Sequence, residues 1–157
     1  MKPAVVAHAG KTVGGGLPEL RRTLEEAGVS APLWIEVPKS KRAPRAVKRA
    51  LEDGADLILA WGGDGMVRRC VNALEDTQVP LAIVPAGTSN LFATNLGIER
   101  DIAQAVQVAL LGDRRRLDVG CFNGERFAVM AGAGFDAAMI KGADDLKDRL
   151  GRGAYVL

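Results

Sequence analysis

Residues 62–65 read Gly-Gly-Asp-Gly, set between the apolar run "DLILAW" (56–61) and a stretch where Val67, Cys70, Val71 and Leu74 recur at i, i+3, i+4 and i+7. A glycine turn leading from a strand into a helix offers unpaired backbone N–H groups at the positive end of the helix dipole. Glycine also lets that backbone come within hydrogen-bonding distance of a phosphate. A bare phosphate would repel Asp64, so the carboxylate has three useful roles there: holding Mg²⁺ through water, accepting a ribose hydroxyl, or orienting an attacking hydroxyl. Each role implies a nucleotide. The plain alternative is a strand-to-helix turn in which Asp64 only caps the helix that follows.

A second loop, "VPAGTSNLFATNLGI" (84–98), gathers Pro85, Gly87, Thr88, Ser89 and Asn90 after the strand-like run "PLAIVP". In open α/β sheets the carboxyl ends of strands are where ligands bind. Its plain alternative is a Pro-Gly turn with Thr88 or Ser89 as an N-cap. Two commoner nucleotide motifs are excluded by pattern. Gly62-Gly63-Asp64-Gly65 is not G-x-G-x-x-G, and in a Walker A reading of "GKT" (10–12) the first glycine would fall on Val5.

These loops need a scaffold, and the chain supplies one. The short runs "AVVAH" (4–8), "LWIEV" (33–37), "DLILAW" and "PLAIVP" (80–85) alternate with helical patterns, which predicts βαβ units and a mostly parallel sheet. Leu17, Leu20, Leu24 and Ala27 form one amphipathic face that ends at Gly28. Ala43, Val47, Ala50 and Leu51 form another that ends at Gly54. Asp101 and Gln104 make a capping pattern ahead of Ile102, Val106, Ala109 and Leu110. The alternation then stops. From about Arg116 two β-like runs, "RLDVGCFN" and "RFAVMAGAGF", flank Asn123-Gly124, a hairpin signal. The expected division is a Rossmann-like α/β nucleotide-binding domain over 1–113 and the beginning of a β-rich domain over 114–157. The tail "LKDRLGRGAYVL" ends on apolar residues, so the chain is expected to continue beyond Leu157 in a longer protein.

Bulk properties narrow the classes. A chain of 157 residues with 48% hydrophobic residues fills a core. A net charge of +2 and 4% aromatics do not fit a dedicated nucleic-acid binder. Cys70 and Cys121 have no partner at metal-ligand spacing, which suggests neither a zinc site nor a disulfide framework and points to a reducing, cytoplasmic setting. No run approaches a membrane span, so any membrane contact is expected to be peripheral. Asp118 and Asp136 lie in turn-rich β segments and read as structural.

Together "GGDGMVRRCVNAL", "PAGTSNLFATNLGI" and "LDVGCFNGERFAVMAGAGFDA" resemble the catalytic domain of the diacylglycerol kinase family of lipid kinases, which is related to sphingosine kinases and more distantly to NAD kinases and phosphofructokinases. The resemblance implies a phosphofructokinase-like N-terminal domain and an ATP site in the cleft between it and a larger β-rich domain. It further implies Mg²⁺, and transfer of the ATP γ-phosphoryl group to a lipid hydroxyl at a membrane surface. It puts Gly62, Gly63, Asp64, Gly65, Met66, Gly87, Thr88 and Asn90 at the nucleotide. His8, Gly10, Lys11, Thr12 and Arg69 become further lining, and Asp64 the catalytic residue. The family's general base is then expected beyond Leu157, so this chain alone is expected to be inactive.

Several residues depart from the family pattern. Met66 stands where the family has Thr, Arg68-Arg69 where it has Asn-Glu, and Leu91 where an acid is commoner. Arg69 would either weaken Mg²⁺ organisation or hold phosphate directly. The rivals are an NAD kinase, which shares Gly-Gly-Asp-Gly, and a catalytically degenerate nucleotide-binding module. The stretch "KSKRAPRAVKR" (39–49) carries six Lys or Arg residues and reads either as a solvated helix face or as a surface drawn to anionic lipid.

Overall fold

The structure, a computed structural model, describes residues 1–128. The end of the second β-like run, Asp136 and the apolar tail therefore lie outside the described residues. Strands β1 (Pro3–His8), β2 (Leu33–Val37), β3 (Leu57–Gly62) and β4 (Leu81–Pro85) form one four-stranded sheet in the order β2-β1-β3-β4. Every pairing in it is parallel. The α/β class expected from the alternation is the one found.

β3 is apolar throughout, and β1 as far as Ala7, because both of their faces are covered, as parallel strands require. Ala4, Val6, Ile58 and Ala60 point to one side, where they pack with Ala43, Ala46, Val47 and Ala50 of α2 (Ala43–Glu52) and with Met66 and Cys70 of α3 (Asp64–Ala73). The alternate residues Val5, Ala7, Leu59 and Trp61 meet Leu20 and Leu24 of α1 (Gly16–Glu26) and Ile102, Ala105 and Val106 of α5 (Ile102–Leu111) on the other. The result is three layers, with α2 and α3 on one face of the sheet and α1 and α5 on the opposite face.

The α5 start is capped as its sequence suggests, with one change. Asp101 Oδ1 accepts the Gln104 N–H at 2.7 Å, but Gln104 Oε1 accepts from the Glu99 N–H at 3.1 Å rather than closing the box on Asp101. Two short elements were not expected: a 3₁₀ turn at Ser40–Arg42 ahead of α2, and α4 (Leu91–Asn95) inside the second loop.

The Asn123-Gly124 signal makes a two-residue turn between antiparallel strands β5 (Gly120–Phe122) and β6 (Glu125–Phe127). Both turn residues have positive φ, +51° and +77°, as the primed hairpin turns demand. The first β-like run is shorter than expected. Residues 116–119 belong to no strand or helix and are mostly exposed, Asp118 among them. No helix of the described residues is long and apolar enough to cross a membrane.

Candidate functional site

The sheet order sets the position of the site. β1 leads through α1 to β2 on one side, while β3 leads through α3 to β4 on the other, and α1 and α3 lie on opposite faces. The loops leaving β1 and β3 therefore diverge, which opens a crevice at the carboxyl edge between these two strands. Three loops meet there: residues 9–12, Gly62–Gly65 and residues 86–90.

The first loop is tied down by Trp61, which is fully buried and donates its indole N–H to Lys11 O at 3.0 Å. His8 Nδ1 accepts the Gly10 N–H at 3.1 Å, which leaves the proton of the neutral ring on Nε2. Burial first, and the nearby Lys11 ammonium second, push the His8 imidazole below its usual range, outweighing an opposing backbone hydrogen bond. Gly10 and Thr12 are exposed.

In the second loop Gly63 is the N-cap of α3 and Asp64 its first residue. The Gly63 carbonyl accepts the Met66 N–H at 2.8 Å and the Val67 N–H at 3.1 Å. The N–H groups of Asp64 and Gly65 stand in the first turn, where a helix has no acceptor of its own to offer. Gly65 is exposed, and a Cβ built on it meets only Ser40 Oγ at 3.9 Å. These amides stand at the positive helix end, where the sequence predicts an anion site.

Asp64 does not cap its own helix. Its Oδ1 accepts the backbone N–H of Phe92, 28 residues on, at 3.0 Å. Phe92 lies in the first turn of α4, so Asp64 acts as that helix's N-cap from outside. Its Oδ2 has no hydrogen-bond partner among the described residues. Thr88 and Ser89 are exposed and cap nothing; the N-cap of α4 is Asn90, held in the left-handed region at φ +53°. The Asn90 side chain is buried and locked to Gly87. Gly87 N–H donates to Asn90 Oδ1 at 2.9 Å, and Asn90 Nδ2 donates to Gly87 O at 3.1 Å.

The glycines divide into two kinds. A Cβ on Gly87 would sit 2.4 Å from Gly63 Cα, and one on Gly63 would sit 3.0 Å from Gly87 Cα. Gly62 faces Met66 Cβ at 2.6 Å. These three are needed for close packing of backbone on backbone or on its own helix, whereas Gly65 alone keeps open space before it. Met66 itself is 1% exposed and joins the core under α2. The expectation that its side chain meets a nucleotide is corrected: residue 66 of this loop points inward, so its thioether removes no hydroxyl from the crevice. The side chain of Asn90 likewise serves the loop, not the crevice.

Arg69 is partly exposed and makes no ion pair among the described residues. Arg68 turns the other way, to Glu125 Oε2 on the hairpin at 2.9 Å. Asn72, one turn further along α3, brackets Arg126: Oδ1 accepts its backbone N–H at 3.0 Å, and Nδ2 donates to its carbonyl at 3.4 Å. Arg126 in turn pairs with Glu75, whose carboxyl it holds below the usual range by hydrogen bonding. Between α3, α4 and the hairpin lies a cleft of about 220 Å³ lined by Asp64, Gly65, Arg68, Leu91, Phe92 and Phe127 among others. Asp64 thus stands between this cleft and the amides of the α3 start.

Among the described residues no three His, Cys, Asp or Glu side chains cluster as a metal cage. The donor set fits a hard divalent cation of the Mg²⁺ type in one way: through the unpartnered Oδ2 of Asp64, with the remaining ligands coming from water and a bound phosphate.

Comparison with known proteins gives consistent results. The family model of the diacylglycerol kinase catalytic domain matches residues 5–122. A diacylglycerol kinase of Bacillus subtilis is 40% identical over 119 residues, which cover 73% of this chain and 39% of that protein. A protein of Shewanella frigidimarina named probable lipid kinase YegS-like is 36% identical over 119 residues, covering 72% and 38%. Among solved structures, a diacylglycerol kinase from Bacillus anthracis superposes with a TM-score of 0.67 at 27% identity, covering 80% of this chain and 45% of that one. The chain spans less than half the length of these relatives.

Proposed function

As a member of the diacylglycerol kinase catalytic-domain family, this chain is, we propose, the nucleotide-binding part of a lipid kinase that transfers the ATP γ-phosphoryl group to a lipid hydroxyl such as that of diacylglycerol. The observation that carries the reading is the Asp64 carboxylate, fixed by the Phe92 N–H at the start of α3 with its second oxygen unpartnered. In this reading the Asp64 and Gly65 amides hold phosphate oxygens, and exposed Gly65 admits them closely. Mg²⁺, bound with ATP, would supply charge neutralisation on the phosphates. The chain's own contribution is positioning: the Asp64–Phe92 bond fixes the carboxylate, and His8 presents a neutral ring at the neighbouring strand end. The cleft with Leu91, Phe92 and Phe127 forms the near wall for an acceptor with an apolar body. The residues from 114 on, hairpin included, are read as the start of the second lobe.

The test is calorimetric titration of Mg·ATP into the chain and its Asp64→Asn variant, with NAD as comparator. Asparagine keeps an oxygen for the Phe92 N–H and removes only the charge, so the fold is retained. Saturable ATP binding, weakened about tenfold or more by Asp64→Asn, supports the reading. Preference for NAD, or ATP affinity equal in both proteins, sinks it.

A further inference from the structure

The six basic residues of 39–49 fall into two groups in the structure. Lys48 pairs with Glu52 at 4.0 Å and Arg49 with Asp53 at 3.8 Å, so the end of α2 neutralises itself. Lys39, Lys41, Arg42 and Arg45 are exposed, and their side chains have no ion pair or hydrogen bond among the described residues. They crowd around the N-terminus of α2, whose first turn contains no acid and whose N-cap, Arg42, makes no side-chain capping bond. Cations at this end oppose the helix dipole and destabilise their own helix. An arrangement that works against the fold calls for an external anion to relieve it.

The position of the group supplies the rest. The 3₁₀ turn that bears Lys41 and Arg42 packs beside the start of α3, with Ser40 Oγ 3.9 Å from the Cβ position of Gly65. None of the four cations lines the cleft beside Asp64 or the groove between α1 and β2. They stand on the exposed 3₁₀ turn and its two flanks, outside both of these concavities. The whole chain carries only +2, so this local excess is not a diffuse basic background. An exposed array of unpaired cations without a pocket is complementary to a charged plane, not to a discrete ligand.

We propose that Lys39, Lys41, Arg42 and Arg45 dock the protein on an anionic lipid surface and so bring the Gly62–Gly65 edge of the sheet towards the bilayer. The purpose of this docking rests on the lipid-acceptor reading, while the docking itself requires no nucleotide.

The experiment is cosedimentation of the chain with phosphatidylcholine vesicles, with and without phosphatidylglycerol, in the absence of ATP. The unmodified chain is expected to partition onto the anionic vesicles only, and to come off as salt is raised. Replacing all four cations by Gln should reduce partitioning by about fivefold per residue, several hundredfold together. The paired replacement Lys48→Gln with Glu52→Gln keeps the net charge and should leave partitioning unchanged. Thermal melting guards against misfolding, because removing cations from a helix N-terminus should raise the midpoint, not lower it. The salt dependence of the unmodified chain is a further readout that needs no variant. Equal partitioning onto both vesicle types overturns the proposal, as does a fourfold Gln variant that binds like the unmodified chain. ATP titration of the same variant separates the two possible phosphate sources. Unchanged ATP affinity with lost vesicle binding supports the lipid surface. Lost ATP affinity with vesicle binding retained assigns the patch to the nucleotide and overturns it; loss of both leaves the docking standing, because the vesicle assay contains no nucleotide. A chain that binds vesicles but not ATP would defeat the kinase reading and leave the docking surface standing.

Discussion

Replacing Gly87 by alanine should damage the fold at the site more than any other glycine-to-alanine change in the two loops. The new Cβ would lie 2.4 Å from Gly63 Cα, 3.0 Å from Gly63 N and 2.7 Å from Asn90 Oδ1. The first distance is about 1 Å short of ordinary contact, and two of the three atoms are backbone that no rotamer change can move. Forcing β3 and β4 apart at their ends resembles overpacking a core, at about 1–3 kcal/mol. Displacing buried Asn90 also strips its Oδ1 from the Gly87 N–H, which adds about 1–3 kcal/mol for an unsatisfied buried group. Together the loss should be about 2–6 kcal/mol, a large part of a domain's total stability. Gly65→Ala is the comparator. Its Cβ meets only Ser40 Oγ at 3.9 Å, it lies in a helix, and it should leave stability unchanged or raise it by up to about 1 kcal/mol. Urea unfolding of both variants, followed by circular dichroism, measures the difference. If Gly87→Ala unfolds within about 0.5 kcal/mol of the unmodified chain, then the two loops do not touch as described, and the division into packing glycines and an approach glycine is wrong. The same comparator tests the crevice from the other side, since Gly65→Ala should weaken Mg·ATP binding while the fold stays intact.

Two further outcomes follow from the loops and the hairpin. The His8 imidazole is held below its ordinary value of 6.5, so between the two values the native state binds fewer protons than the unfolded chain, and stability rises with pH through that window. It is lost as the pH falls from 6.5 through the native value; the urea midpoint should show this fall, and His8→Asn should flatten it, whereas an equal fall in both proteins would refute the role given to burial and Lys11. Asn72→Ala removes both side-chain bonds to the Arg126 backbone and should cost about 1 kcal/mol. Amide exchange at Arg126 should speed up markedly while exchange in β1 and β3 stays slow, and an unchanged Arg126 rate would mean that the hairpin is held elsewhere.

Much of the scaffold could be read from the residues because periodicity is a local property. Strand runs buried on both faces, the helix faces ending at Gly28 and Gly54, the Asp101 cap and the Asn-Gly turn each depend on neighbours within a few positions. The site was legible only as a pair of loops. That Asp64 caps α4 instead of α3, that Asn90 bonds Gly87, and that Gly63 touches Gly87 are tertiary facts set by how β3 and β4 lie side by side. Met66 misleads for a related reason. The loop motif draws attention to it, but its position three residues into the helix pattern with Cys70 is a core spacing, and burial wins. Ser40 beside Gly65 carried no signal at all beyond its place in a basic stretch, because the 3₁₀ turn that brings it there has no strong pattern of its own.

The order β2-β1-β3-β4 also has a consequence for how the protein is made. A ribosome releases β1 first, then β2, which joins one side of it, then β3, which joins the other, and β4 is added beyond β3. No later strand has to be inserted between two that have already paired, so the sheet can grow outward by edge addition as the chain emerges. α1, followed by α2, can cover its two faces in the same sequence. The Asp64 carboxylate finds its acceptor duty only when Phe92 has left the exit tunnel. The sheet is thus ready before the crevice, which the loop after β4 completes, and α5 follows to finish covering the α1 face.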